Sequence, residues 1–194
     1  MSNSAPAASK RERNKTFRWV VTIFIVTIFI SGTISLLSDV IMENSSVFVA
    51  FLILLAIILI GIIFDIIGMA VASADEKPFH SMAARKVPGA QESIALLRNA
   101  ERVSSICNDV VGDICGVVSG SASAIIAVQI ISNFDFSWPQ IVSLAMSALA
   151  AGLTVGGKAI GKSFAVNSST AIVHSVGKCI HWLHSLTKPK KKTK

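Results

Sequence analysis

Residues 47–74 form an apolar stretch of 28 residues broken by a single charge, Asp65. As a helix it would be about 42 Å long, against about 30 Å for the hydrocarbon core of a bilayer. A chain of 194 residues has little interior in which to hide such a rod from water. Inside lipid every backbone N–H and C=O must be satisfied within the segment, which leaves the helix as the natural form. Three further runs follow the same logic: 19–37 without a charge, 103–132 carrying Asn108, Asp109 and Asp113, and 139–157. The whole chain is 52% hydrophobic and only 15% charged, with a mean hydropathy of +0.65. The expected fold is an all-α membrane protein with four transmembrane helices and a C-terminal amphipathic juxtamembrane helix. Its parts are a basic N-terminal stretch (1–18), the bundle (19–157), a juxtamembrane segment (158–187) and a polybasic tail (188–194). The first run is longer than a signal core and is closed by no small-x-small cleavage site, so it is read as an uncleaved span.

The charges alternate along the chain. Five Lys and Arg precede the first run, none lies in 38–46, five lie in 75–102, none in 133–138, and eight Lys lie from 158 onward. Lys and Arg flanking spans stay on the cytoplasmic side. Each segment then agrees with both termini in the cytoplasm, in an inner or plasma membrane. The net charge of +7 in so apolar a chain points to anionic lipid headgroups and not to nucleic acid. Lys188, Lys190, Lys191, Lys192 and Lys194 are the expected lipid contacts.

Charged groups inside a bilayer are costly and mark functional candidates. Asp109 and Asp113 are four residues apart, on one helix face. They sit about 10 and 16 Å past Arg102, and Asp65 about 15 Å from Asp75 at the other end of the same polar segment. All three acids reach a similar depth, with Ser105 and Asn108 adding neutral oxygens. Hard cations such as Mg²⁺ take oxygen ligands of this kind, so the set is a candidate cation site and Mg²⁺ the candidate cofactor. The other reading is structural: Lys158 and Lys162 are candidate counter-ions that reach inward to pair with Asp109 or Asp113 and hold the bundle in register. Gly112, Gly116 and Gly120 form a small-residue face suited to helix packing, within the bundle or across a homodimer. The three cysteines, Cys107, Cys115 and Cys179, fit no zinc or haem pattern. His174, Cys179, His181 and His184 lack a neighbouring carboxylate in sequence to orient the rings, which argues against a metal site. No spacing selects a catalytic set, and the chain is read as not an enzyme.

Three stretches carry a resemblance: FDIIGMAVASADEKPFHSMAARKVPGA (64–90), RNAERVSSI (98–106) and GKAIGKS (157–163). They resemble the transmembrane domain of the CorB/CorC/cyclin-M family of magnesium transporters, over roughly residues 50–187. Phe64, Ala70, Ser73, Gly89, Gly157, Lys162 and Ser163 fit its pattern. Ile67 and Gly68 stand where the family has Ser-Glu, Lys158 where it has Glu, and Gly161 where it has Pro. The resemblance implies a divergent transporter domain without the family's CBS domains. Asp65, Asn108, Asp109 and Asp113 would then form a rebuilt ion site, or Lys158 would fill it.

Overall fold

A computed structural model describes residues 5–43, 45–134 and 138–187. The chain is an all-α membrane protein, with no strand among the described residues. Helix α1 spans Ala5–Glu43, α2 Val47–Ser73, α3 Lys77–Ala84, α4 Ala90–Arg98 and α5 Ala100–Ser105. A π-helical turn, Ile106–Val111, joins α5 to α6 (Gly112–Phe134); α7 (Pro139–Asn167) and α8 (Ser169–Thr187) follow. Among the described residues four segments are long and apolar enough to cross a membrane: Phe17–Met42, Val47–Ser73, Ala100–Asn133 and Pro139–Asn167.

The fourth of these runs ten residues past the expected end at 157, so Lys158 and Lys162 lie on the spanning helix itself. The Gly156-Gly157 pair reads as a stop because glycine costs a helix interior about 1 kcal/mol per residue. Packing overrides that local preference. A methyl at Gly157 would meet Ile62, and one at Gly161 would come within 2.7 Å of Ile66 Cγ1, so the glycines let α7 approach α2 closely.

Helix α2 is the axis of the bundle, flanked by α6 and α7, with α1 laid along α6. One apolar core, Met42, Ala50, Leu54, Ile58, Ala122 and Ile126, fills the end where α1 meets α2. A second, Ala70, Val71, Phe79, Leu97, Ala165 and Val173, fills the end capped by α3, α4 and α8. Asp65 lies between them in sequence along α2.

The inner face of α1 is built from hydroxyls. Thr27, Ser31, Ser35 and Ser38, three or four residues apart, are less exposed than the apolar residues around them. Without a hydrophobic force between helices in lipid, small residues permit close van der Waals approach. Ser35 Oγ lies 3.4 Å from Ser121 Oγ, and Gln129 Nε2 donates to the Met42 carbonyl at 2.8 Å. The two contacts are offset by 86 and 87 residues, so α1 and α6 run parallel.

At the opposite end α8 crosses α4 at nearly backbone-to-backbone distance. Gly89 has φ +85°, a left-handed conformation that favours glycine. A methyl at Gly177 would strike Gly89 O and Ser93 Oγ. Ser93, fully buried, donates its one hydroxyl proton between Gly89 O at 2.8 Å and Val173 O at 3.2 Å. Helix α8 is thus docked by one face, while Trp182, Leu183 and Leu186 stay exposed on another.

Candidate intramembrane charge site

Asp65 is 4% exposed, deep on α2. Its Oδ1 lies 3.9 Å from Lys158 Nζ, which reaches across from α7 and donates to the Gly112 carbonyl at 3.3 Å. A methyl at Gly112 would sit 3.2 Å from that nitrogen, so the glycine leaves the lysine its path. An isolated charge at this depth would be expensive; the opposite charge and the carbonyl lower that cost.

Asn108 enters from the π turn. Its Nδ2 donates to Ser104 Oγ at 3.3 Å, and its Oδ1 rests directly over the Cα of Gly68, where any Cβ would collide with it. Asp65 and Gly68 are three apart on α2, so Asn108 and Asp65 are brought to adjoining turns of one helix. Asp65 Oδ2 and Asn108 Oδ1 are both buried and accept no hydrogen bond.

Asp109 and Asp113 do not join them. Both are exposed on the outer side of the third span. Ser105 Oγ donates to Asp109 Oδ2 at 2.8 Å, a local bond one turn apart. The π turn explains the parting. The Gly112 N–H bonds the Cys107 carbonyl, five residues back, and this wide turn puts both residues on the buried side. The expected pairing of Lys158 with Asp109 or Asp113 is corrected by this geometry: Asp65 is its partner. Lys162, one turn on, is exposed. Among the described residues no three His, Cys, Asp or Glu side chains converge in a metal-holding group.

The glycine face divides. Gly112 is buried beside Lys158, whereas a methyl at Gly116 or Gly120 would meet nothing within 4 Å. These two line a shallow groove between α6 and α7 with Ser119, Ser123, Ala150 and Thr154.

The histidines of α8 do have a carboxylate to orient one of them, Glu92, which sequence spacing missed because it lies 89 residues away. His181 Nδ1 lies 2.8 Å from Glu92 Oε1, and His174 Nε2 lies 3.3 Å from the Pro88 carbonyl. The hydrogen bond from His181 holds the Glu92 carboxyl below its usual range, against the opposing pull of burial. Both rings face the α3–α4 connection and α4, which is the role of a docked helix. Lys188, Lys190, Lys191, Lys192 and Lys194 lie outside the described residues.

Gly68 was singled out in the sequence only as a departure from the resembled pattern, and not as the seat of Asn108. Its signal was present: a glycine one turn from the only charge of a 28-residue apolar run. The chain matches no family model, no curated protein and no solved structure.

Proposed function

We propose that the chain is a non-enzymatic, non-transporting interaction protein of an inner or plasma membrane, in which Lys158 occupies the position a cation would take. The observation that carries this reading is the Lys158–Asp65 contact at 3.9 Å, with Asp109 and Asp113 exposed and away from it. An ammonium beside the carboxylate leaves the interior near neutral and gives Mg²⁺ a competitor tethered in place. Where the resemblance to magnesium transporters implies an acid at this position, this chain has a lysine. The test is heat unfolding of the purified protein in detergent, since a ligand of the folded state alone raises its stability. No shift with millimolar Mg²⁺ is expected; a rise that saturates with Mg²⁺ overturns the reading.

One observation favours the second reading, a cation site built on Asp65 and Asn108: their two buried oxygens without donors. The same titration decides it.

The alternating Lys and Arg counts support a cytoplasmic position for both termini. An impermeant thiol reagent added outside should label a cysteine introduced at Ser45 and spare one at Ser81; labelling at Ser81 contradicts this orientation. On the cytoplasmic side the five tail lysines would hold α8 near anionic headgroups, at about 1 kcal/mol for each lysine close to the surface. The partner that fits the open groove at Gly116 and Gly120 is a second copy of the chain, making a homodimer. Gly120→Leu would then convert dimers to monomers in a mild detergent, and an unchanged sedimentation profile would rule that seam out.

A further inference from the structure

The shallow groove between α6 and α7, about 200 Å³, is walled mostly by small side chains, and both walls run on into charged ones. On the α6 wall Asp113 lies seven residues before Gly120; on the α7 wall Lys162 lies seven residues after Val155. Seven residues are close to two helical turns, so each charge stays on the line of its wall. The two helices run antiparallel: Met146 packs on the core that holds Ala122 and Ile126, whereas Lys158, farther along α7, reaches Gly112. Both lines therefore lead toward the end capped by α3, α4 and α8. From the contact of Lys158 with Gly112, Lys162 is one turn farther that way on α7 and Asp109 about one turn farther on the third span, with Asp113 level with Gly112.

Asp109, Asp113 and Lys162 are all exposed on segments long and apolar enough to span a membrane. Ser105 gives Asp109 one hydrogen bond; among the described residues Asp113 and Lys162 have neither an ion pair nor a side-chain hydrogen bond. Charges on the outer face of a spanning helix are expensive unless opposite charge covers them. The groove beside them admits a close helix, since a methyl at Gly116 or Gly120 would meet nothing within 4 Å. The surface that fits this face has small residues against the groove, a base opposite the acids and an acid opposite Lys162. The chain itself presents such a surface.

We propose that two copies of the chain pack groove to groove, with Asp109 and Asp113 of each copy paired with Lys162 of the other. This rests on the homodimer reading and adds to it the charges that fix the seam. A twofold axis along the membrane normal leaves every residue at its own depth, so acids and lysine at nearly one level meet at two equivalent places. Packing of small residues brings the helices together, and the two crossed ion pairs set which copy surface faces which. The pairing uses neither Asp65 nor Lys158, so it stands apart from the buried contact within each copy.

The test is charge reversal in the full chain, with self-association measured by sedimentation in mild detergent. One variant carries Lys162→Asp; the other carries Asp109→Lys together with Asp113→Lys. Each alone sets like charges against each other across the seam and should self-associate about a hundredfold more weakly than the parent. Co-expressed with different affinity tags, the two variants restore both pairs, and dimers holding one chain of each kind should form as tightly as the parent. Pairing within one chain, or a lysine that only reaches toward headgroups, gives no such rescue. Melting curves show whether each variant is folded; should a reversed chain unfold, Lys162→Gln, which adds no like charge, still decides through an expected loss of about tenfold. A monomeric parent overturns the homodimer reading and this pairing with it. A dimeric parent overturns the pairing alone if the folded reversed variants dimerise like the parent, if co-expression brings no rescue, or if Lys162→Gln leaves association unchanged.

Discussion

The contacts of Glu92 with His181 and of Asp65 with Lys158 each join distant parts of this chain, and their geometry and their energetic weight run in opposite orders. Glu92 and His181 meet at 2.8 Å where α8 lies on α4, with the histidine half exposed. Asp65 and Lys158 meet at only 3.9 Å, with the carboxylate nearly sealed. The shorter contact competes with water and salt on both partners. In the longer one the Asp65 carboxylate is sealed among apolar helices, so removing Lys158 strands its charge there. Distance is thus the poorer guide, and the medium decides.

Lys158→Met tests the heavier side of that contrast. It leaves Asp65 buried without its ammonium and should destabilise the bundle by about 3–5 kcal/mol, read as a lower melting temperature in detergent. A loss under about 1 kcal/mol, the scale of a surface pair, would place the two contacts on the same footing and break the comparison.

Gly177→Ala separates packing from charge at the α8 end. A methyl there strikes Ser93 Oγ and Gly89 O, and backbone cannot yield as a side-chain tip can. Overpacking of this kind costs about 1–3 kcal/mol, and proteolysis within α8 should report the release. If α8 stays protected while Glu92→Gln frees it, the docking is electrostatic after all.

Glu92→Gln is expected to have the smallest effect, up to about 1 kcal/mol, and to shrink further in high salt. Its pH dependence has a definite sign. The Glu92 carboxyl is held below its unfolded value of 4.5 by the bond from His181. A group depressed on folding contributes fully above that unfolded value, and the contribution fades as pH falls through the lowered one. Amide exchange across residues 169–187, taken relative to the intrinsic rate at each pH, should therefore quicken as pH falls below 4.5. The Glu92→Gln variant should show no quickening from this contact.

The four spans were legible because uninterrupted apolar length is a property of sequence alone. The end of α7 was not, since Gly156 and Gly157 disfavour a helix by local preference, while the packing of Gly157 and Gly161 against Ile62 and Ile66 carries the helix on. Asp65 could be singled out as a lone charge, and Lys158 as a counter-ion. Which acid met it depended on the π turn at Ile106–Val111, and a face drawn with 3.6 residues per turn cannot foresee a wider turn. That turn sends Asp109 and Asp113 outward while Asn108 settles on Gly68. The hydroxyl face of α1 was readable in principle, as Thr27, Ser31, Ser35 and Ser38 recur at helical spacing in a run otherwise mostly apolar. The Glu92–His181 contact spans 89 residues, and nothing local announces it.

The central claim is that Asp65 and Lys158 are each other's ligands. Its most direct test is a double-mutant cycle in thermal stability, with Asp65→Asn, Lys158→Met and the pair together, each with and without Mg²⁺. Either single change should be costly, and the pair should recover much of the loss because no charge is left unpaired. Mg²⁺ should shift none of the four melting temperatures. Additive losses in the double variant, or a Mg²⁺-dependent rise in the parent that Asp65→Asn abolishes, would contradict the account and make Asp65 a ligand for a cation from solution.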